Sequence, residues 1–244
     1  MPVTAEAVII GGGVMGCSIL YNLAARGMTG AILLERDILG SGSTGRSSGA
    51  VRMHYSTEVH ARMARQSLDI FQNFGEIVGG PGSDGVGFVK TGYLVFAGGG
   101  DLESFRSKVA MQQRAGIDTR IISREEAREI APGFYLDDCA GIAYEPSSGH
   151  ADASGTAAAY SSRARELGAR VLLKTPATGI ETASGKVVAV KTGDQRIETP
   201  LAVVATGPWS RRFLLDQGID LPLEATRHEV IHLNRPLDLL PYHP

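Results

Sequence analysis

Cysteine and net charge are both scarce in this sequence. Only two of its 244 residues are cysteines, Cys17 and Cys139. Two are too few for the disulfide framework of a small secreted domain, and this predicts a reducing, cytoplasmic location. The formal net charge is −2, from 24 basic and 26 acidic residues. Nucleic-acid-binding domains carry a basic excess on one face, so we predict no nucleic-acid partner.

A basic leader is also missing before the first apolar stretch. No charged residue occurs between Ala7 and Ala25, and no Lys or Arg precedes Arg26, whereas a signal peptide begins with a positively charged region. Glycines interrupt the stretch repeatedly, whereas a membrane-spanning helix needs about 20 predominantly apolar residues in succession. We therefore expect neither a signal peptide nor a membrane span, and interpret the stretch as a buried strand, a turn and a helix.

Glycine, in contrast, is abundant at 31 residues, and its first cluster forms a motif. Gly11, Gly13 and Gly16 have the spacing G-x-G-x-x-G between an apolar run at 7–10, predicted to be a strand, and a predicted helix. In dinucleotide-binding βαβ units the first glycine makes the tight turn, the second admits a pyrophosphate, and the third lets helix and strand pack closely. Glu35 ends the next apolar run and is predicted to accept hydrogen bonds from a ribose.

A second glycine-rich loop covers residues 40–49. It offers backbone amides, hydroxyl groups and the guanidinium of Arg46, all of which bind phosphates. The first motif is shared by proteins that bind NAD and proteins that bind FAD, so it cannot distinguish the two. The second loop favours a long ligand with two phosphates and a polar ring edge.

The remaining pattern predicts a mixture of helices and strands. One helix is predicted from Ser56 or Thr57, and another over 101–115. The apolar face of the first is expected to consist of Val59, Met63, Ile70, Phe71, Phe74 and Ile77. From residue 152 onward the predicted elements are a helix ending at Gly168, a strand over 169–173, a meander of short antiparallel strands at 177–183, 186–192 and 195–199, and an apolar return strand over 201–205.

Several segments together resemble a known family. They lie at 8–16, 34–36, 42–52, 91–94, 149–152 and 203–210, and they are similar to the FAD-dependent amine and D-amino-acid oxidase superfamily, in particular to sarcosine oxidase β-subunits, glycine oxidases and dimethylglycine dehydrogenases. The resemblance covers nearly the whole chain. It implies an α/β fold, α+β overall, in which a glutathione-reductase-like Rossmann domain that binds FAD is interleaved with a mixed-sheet substrate domain.

This resemblance also implies a division of the chain. The expected parts are 1–85 and 146–217 for the FAD-binding domain, 86–145 for the first part of the substrate domain, and 218–244 for the start of its second part. Relatives continue well beyond the equivalent of Pro244. We therefore expect a fragment, a subunit completed by a partner chain or a second copy, or a chain that binds FAD without catalysis.

The residues expected to hold FAD follow from the same resemblance. They are Gly11, Gly13, Val14, Met15, Gly16, Glu35, Arg36, Ser43, Thr44, Arg46, Ser47, Ser48, Ala177, Ala205 and Gly207. Family members with a histidyl flavin link carry His where this chain has Arg46, so FAD is expected to bind without a covalent bond. Arg52, with Tyr55 near it, corresponds to the position that holds a substrate carboxylate; an ordinary salt bridge of Arg52 is the alternative.

The implied activity is oxidation of the C–N bond of a small amino acid or secondary amine of the sarcosine, glycine or dimethylglycine class, with a hydride passing to flavin N5. A second interpretation comes from residues 228–232, which read HEVIH and match the HExxH pattern of zinc peptidases. That pattern needs a helix. In the strand that the β-branched residues favour, the two histidines would lie about 13 Å apart, whereas zinc ligands lie about 2 Å from the ion. A zinc metallopeptidase is therefore disfavoured, and no metal site is predicted.

Overall fold

The computed structural model describes residues 3–80, 86–100, 102–227 and 229–230. The chain divides into two compact units, each assembled from three separate segments. Unit 1 contains Met1–Ser48, Phe74–Gly87 and Asp152–His228. Unit 2 contains Gly49–Asn73, Phe88–Ala151 and Glu229–Pro244.

Helices and strands are distributed over both units. The helices are α1 Val14–Ala25, α2 Glu58–Gln72, α3 Phe74–Ile77, α4 Leu102–Arg114, α5 Arg124–Ile130, α6 Ala153–Glu166 and α7 Ser210–Leu215. The strands are β1 Val3–Thr4, β2 Val8–Ile10, β3 Ile32–Leu34, β4 Ala50–Val51, β5 Tyr93–Ala97, β6 Arg120–Ile122, β7 Gly141–Glu145, β8 Gly149–His150, β9 Arg170–Leu172, β10 Ala177–Ala183, β11 Lys186–Thr192, β12 Arg196–Glu198 and β13 Ala202–Val204. Short 3₁₀ turns lie at Thr44–Arg46 and Gly207–Trp209.

Unit 1 is organised around a four-stranded parallel sheet with the strand order β13-β2-β3-β9. Every residue of β2 and β3, the two central strands, is buried. Such strands read as continuous apolar runs because both of their faces are covered. Helix α1 connects β2 to β3 and contacts α6, which leads into β9. The predicted βαβ unit is therefore confirmed.

The predicted antiparallel meander forms the second sheet of unit 1. Strands β10, β11 and β12 pair in sequence, and Ser184 and Gly185 join the first two with positive φ angles of 51° and 74°. Strand β1 pairs with β12 in parallel, which the sequence did not predict. Val190 and Ile197 of the meander share a buried cluster with Val8 of the parallel sheet, so the two sheets of this unit pack on each other.

Unit 2 contains a three-stranded antiparallel sheet with the order β5-β7-β6. The side chains of its middle strand, β7, pack alternately on the two faces of the sheet, because successive side chains of a strand point to opposite faces. Ala143 packs with Phe105 and Val109 of α4, whereas Ile142 packs with Ala127 of α5. A second, two-stranded pairing joins β4 to β8. The mixed helix and strand content of both units agrees with the predicted fold class.

The predicted apolar face of the helix after Thr57 is wrong at Val59, Met63 and Ile77, whereas Phe74 is buried and Ile70 and Phe71 are partly buried. Val59 and Met63 are 67% and 58% exposed. The helix instead buries Ala61 and Leu68, which pack with Met53 and Ile117. The buried positions are seven residues apart and lie on one helix face, and the small Ala61 allows a close approach that the larger apolar residues would prevent.

The predicted domain boundaries also differ from the compact units. Residues 49–73 belong to unit 2, although they were assigned to the first FAD-binding part, and unit 1 resumes at Asp152 rather than 146. Pairing of β4 with β8 explains both shifts, because it ties the segment after Ser48 to the segment before Asp152. The assignment of the two units to cofactor and substrate stays a prediction.

The first apolar stretch is divided as expected, into β2, a glycine turn and α1. Helix α1 has 12 residues, short of the roughly 20 that a membrane span requires. Within the described ranges, no helix combines the length and apolar character needed to cross a membrane.

We expect Gly16→Ala to destabilise unit 1. A Cβ atom at Gly16 would lie 1.9 Å from the Gly11 carbonyl oxygen, a backbone atom that cannot move without bending the strand-to-helix turn. The expected loss is about 1–3 kcal/mol in the free energy of unfolding, measured by urea denaturation. The control is Gly193→Ala, whose Cβ would meet no atom within 4 Å; if both variants lose equal stability, the close approach is not the cause.

Candidate functional site

A cavity of about 660 Å³ lies in unit 1 at the carboxyl-terminal edge of its parallel sheet. Residues that directly follow three strands line it: Gly11 after β2, Glu35 after β3 and Ala205 after β13. Open α/β sheets bind ligands at this edge. The volume falls within the range of small-molecule sites, roughly 300–1,000 Å³.

Most residues expected to hold the cofactor line this cavity. They are Gly11, Gly13, Val14, Met15, Glu35, Arg36, Ser43, Thr44, Ser47, Ala177, Ala205 and Gly207. The structure thus brings together segments that are far apart in the sequence.

The first glycine turn fits tightly between its neighbours. Gly11 has a φ of +115°, which L residues rarely adopt, and a Cβ there would lie 2.5 Å from the Ala205 carbonyl oxygen. Gly16 does not line the cavity; it permits α1 to start directly behind β2, as the motif predicts. The turn therefore presents its main chain, without side chains, to the cavity.

Helix α1 begins at the same cavity, which its first two residues, Val14 and Met15, line. In the described structure its N-cap residue, Gly13, makes no side-chain cap, and the first turn has no acidic residue. One amide, that of Val14, donates to Thr44 Oγ1 at 3.0 Å. The first amides of a helix lack partners within the helix and carry a partial positive charge. This arrangement suits an anion such as a phosphate.

Glu35 lies at the tip of β3 and is only 7% exposed. Its Oε2 accepts a hydrogen bond from the Gly12 amide at 2.6 Å, and its Oε1 accepts one from the Asp37 amide at 2.8 Å. The Ser41 hydroxyl donates to Oε1 at 3.4 Å. Glu35 therefore ties the first turn to the start of the second loop, and a carboxylate has lone pairs left for the hydroxyl groups of a ribose.

The second loop contributes hydroxyl groups but not its guanidinium. Arg46 and Ser48, both expected to face the cofactor, are not among the described residues that line the cavity. Arg46 turns back onto its own loop, where Nη1 donates to the carbonyl oxygens of Ser41 and Gly42, the latter at 2.8 Å. The guanidinium satisfies these carbonyl groups and so stabilises the loop.

Trp209 was not predicted to be a site residue, although it lies in a segment that carries the family resemblance. It lines the cavity, and its ring is covered by the Arg36 guanidinium, with Cζ 4.5 Å from the ring centroid. A Cβ at Gly42 would lie 3.3 Å from the ring, so the second loop packs against it. The only sequence signal was a single aromatic residue after the return strand.

Arg52 and Tyr55 lie in unit 2, in an irregular segment between β4 and α2. The Arg52 Cζ atom lies 4.7 Å from the Tyr55 ring centroid and 5.9 Å from that of Tyr93. Nη1 donates to the His54 carbonyl oxygen. Arg52 forms no salt bridge with any described residue, so the alternative role is not observed there. A guanidinium carries five N–H donors in one plane, which suits bidentate pairing with a carboxylate.

A buried acidic residue lies beside this segment. Glu145, at the end of β7, has a fully buried side chain that accepts hydrogen bonds from the Met53 amide at 2.9 Å and the Ser148 hydroxyl at 2.8 Å. Burial raises the pKa of Glu145, and these donors offset the rise only in part. Burial also lowers the pKa of His54, whose Nδ1 lies 3.8 Å from Glu145 Oε1. Both shifts favour neutral forms.

The donor set of the cavity fits FAD. A close main-chain turn, a helix start and the hydroxyl-bearing residues of the second loop suit a diphosphate, and Glu35 suits a ribose. The HExxH residues 228, 231 and 232 lie outside the described residues. Within the described part, no group of three or more His, Cys, Asp or Glu side chains is arranged to hold a metal ion.

Comparison with known proteins supports the same interpretation. The model of one protein family, described as FAD dependent oxidoreductase, matches residues 6–243. The family resemblance predicted from the sequence is therefore confirmed.

Individual relatives are moderately similar. Human mitochondrial sarcosine dehydrogenase is 30% identical over 241 residues, covering 96% of this chain and 26% of that protein. The mitochondrial pyruvate dehydrogenase phosphatase regulatory subunit of Mus musculus is 28% identical over 241 residues, covering 98% and 27%. The crystal structure of L-proline dehydrogenase from P. horikoshii has a TM-score of 0.81 and 30% identity, covering 90% of this chain and 57% of that one. This chain thus spans about a quarter of the length of the sarcosine dehydrogenase and of the regulatory subunit.

We expect Glu35→Ala to destabilise the chain even when no nucleotide is present. The variant leaves the amides of Gly12 and Asp37 without their acceptor, and an unsatisfied buried donor costs about 1–3 kcal/mol. Urea denaturation measures the loss. Glu198→Ala removes only an exposed ion pair with Arg196 and should cost less than about 1 kcal/mol. Equal losses would show that Glu35 does not stabilise the turn.

Proposed function

The chain belongs to the family of FAD-dependent oxidoreductases, and from this premise we propose that it binds FAD in the unit 1 cavity as part of an enzyme that oxidises a C–N bond in a small amino acid or secondary amine. One observation carries the proposal. The start of α1, which has no cap from its own N-cap residue, and the side-chain-free turn before it open into a cavity that is bounded by Glu35.

In this proposal the cofactor is held mainly by the main chain. The first-turn amides of α1 bind the diphosphate, with the hydroxyl groups of Ser43, Thr44 and Ser47 beside them. Glu35 accepts hydrogen bonds from the ribose of the adenosine. The backbone of Ala177 meets the adenine, and Ala205 and Gly207 line the adenosine side of the cavity. No covalent bond to the protein is required.

When bound, FAD would supply the redox chemistry, as acceptor of the hydride that leaves the carbon beside the substrate nitrogen, and water would hydrolyse the imine product. The chain's own residues bind and orient the substrate. Arg52, lying on the rings of Tyr55 and Tyr93, pairs with the substrate carboxylate. Fixing one end of the substrate in this way restricts the orientations of the carbon that reacts.

The names of two relatives support a narrower substrate class. By their names, the human relative acts on sarcosine and the solved relative acts on L-proline. Both compounds are α-amino acids with a secondary amine and one carboxylate. We propose this class, including N-methylated glycines, as the substrates of the enzyme to which this chain contributes.

A second candidate function is a non-catalytic, FAD-binding subunit that acts with a partner chain or a second copy of itself. One observation favours it: a relative that covers 98% of this chain is named a regulatory subunit. In that case FAD would bind with the same contacts, and oxidation of sarcosine would be undetectable until the partner is added.

FAD binding can be followed through the only tryptophan of the chain, Trp209. Because Trp209 lines the cavity, addition of FAD should quench its fluorescence with saturation, and bound flavin should be retained on a desalting column. Gly13→Val should weaken binding at least tenfold, about 1.4 kcal/mol, since a side chain there keeps phosphates away from the main chain.

Gly193→Val is the matched control and should bind FAD like the wild-type chain, because the space around Gly193 is open. Saturable quenching by NAD but not by FAD would contradict the flavin assignment. Equal FAD affinities of the Gly13 and Gly193 variants would contradict the proposed position of the diphosphate.

The proposed role of Arg52 is tested by comparing sarcosine with dimethylamine, which lacks only the carboxylate. Calorimetry should show that the FAD-loaded chain prefers sarcosine and that Arg52→Met removes most of the preference, by roughly 10-fold to 100-fold, because a charged hydrogen bond contributes about 1.5–3 kcal/mol. Arg52→Lys should recover part of it. Arg62→Met, on exposed α2 and paired with Glu58, should keep the wild-type preference. An unchanged preference in Arg52→Met would refute the role.

A further inference from the structure

The segment that carries Arg52 has no regular secondary structure of its own. Residues 52–55 lie after β4 and before the N-cap of α2, outside every helix and strand. Backbone polar groups of such a segment need other partners when they are buried. Here two partners are side chains that come from separate elements of unit 2, β7 and α4.

Glu145 provides the first of these contacts. Its Oε2 accepts the Met53 amide at 2.9 Å, and the Ser148 hydroxyl, at 2.8 Å, orients the same oxygen. Met53 is itself buried, in the cluster with Ala61 and Leu68. The residue that follows Arg52 is therefore fixed through both its main chain and its side chain.

Gln112 provides the second contact. Its side chain is fully buried, and Nε2 donates to the Tyr55 carbonyl oxygen at 2.9 Å. Phe105, about two turns earlier on α4, lies with its ring centroid 6.2 Å from that of His54. Helix α4 therefore contacts the segment at two successive residues.

These contacts leave polar atoms unsatisfied. Within the described residues, Gln112 Oε1, Glu145 Oε1 and His54 Nδ1 are buried and make no hydrogen bond of regular geometry. Burying polar groups without partners costs free energy, and apolar residues of similar volume would avoid that cost. The contacts that hold this short irregular segment therefore come with a cost in the free energy of folding. Buried side chains with this effect are typical of the layer that supports a functional residue.

We propose that Glu145 and Gln112 are positioning residues that hold the 52–55 backbone so that the Arg52 guanidinium lies on the rings of Tyr55 and Tyr93, oriented for a substrate carboxylate. This inference rests on the proposed function of Arg52. It adds the two side chains that hold the main chain of the segment, Glu145 at Met53 and Gln112 at Tyr55. Neither side chain needs to touch the substrate.

The test uses the full chain loaded with FAD and the ratio of its affinities for sarcosine and dimethylamine. Glu145→Met and Gln112→Met keep most of the side-chain volume but remove the hydrogen bonds to Met53 and Tyr55. We expect each variant to lower the ratio roughly tenfold or more, since a displacement of about 1 Å is costly for an oriented group. Glu145→Gln should restore most of the preference, because its amide oxygen can still accept from the Met53 amide.

Thr119→Val is the matched control. Thr119 is also buried in unit 2, and its hydroxyl likewise makes no hydrogen bond within the described residues. Loss of the Thr119 hydroxyl should leave the ratio of the affinities for sarcosine and dimethylamine unchanged. Hydrogen exchange adds a readout without ligand: protection should fall in the peptide covering 52–57 in both Met variants and elsewhere should match the wild-type chain.

Each outcome decides the matter. If either Met variant folds and keeps the wild-type ratio, the positioning role is wrong. If Glu145→Met does not fold, Gln112→Met carries the test; if neither folds, the side chains support the unit as a whole, and the inference is overturned. If the wild-type chain does not prefer sarcosine to dimethylamine, or if Arg52→Met keeps that preference, the proposed function of Arg52 itself is wrong. The Arg52 variants therefore distinguish a failure of the proposed function from a failure of the positioning role.

Discussion

The contact between the Gly11 carbonyl group and Gly16 sets the geometry on which unit 1 depends. With no Cβ at Gly16, helix α1 begins immediately behind the end of β2, and its first two residues, Val14 and Met15, line the cavity. Gly11 also approaches the backbone of Ala205, so the end of β13 is placed by main-chain contact. Two of the three strand ends around the cavity are thus fixed by backbone atoms, and the third, at Glu35, is fixed by a hydrogen bond to Gly12.

Elements with strong local signals could be predicted from the sequence. Short, continuous apolar runs predicted the strands of the parallel sheet, and the Ser184-Gly185 turn predicted the first hairpin of the meander. The buried face of α2 could not be predicted in this way, because Val59 and Met63 have helical spacing too. Ala61 packs inward because Met53 and Ile117 lie in the same buried cluster. Met53 precedes the helix and Ile117 lies far beyond it along the chain, so the pattern of the helix itself reveals neither contact.

Some features of the candidate site could likewise be predicted from the sequence, and others could not. Main-chain features follow from glycine spacing, which is local, and most of the expected residues line the cavity. Side-chain directions do not follow: Arg46 turns to its own loop, and Trp209 meets Arg36 across a long stretch of sequence. Glu145 and Gln112 gave no signal either, because one polar residue in an apolar pattern does not reveal which backbone group it will meet.

The interleaving of the two units has a consequence for biosynthesis. Strand β2 is translated about 190 residues before its neighbour β13, since Val8 pairs with Ala202. At roughly 5–20 residues per second, one side of the central strand waits on the order of 10–40 s for its partner. During that interval an apolar strand with unpaired amide and carbonyl groups is open to pairing with other chains. The exposed β2 strand, Val8–Ile10, is thus a target for nascent-chain chaperones until β13 is made.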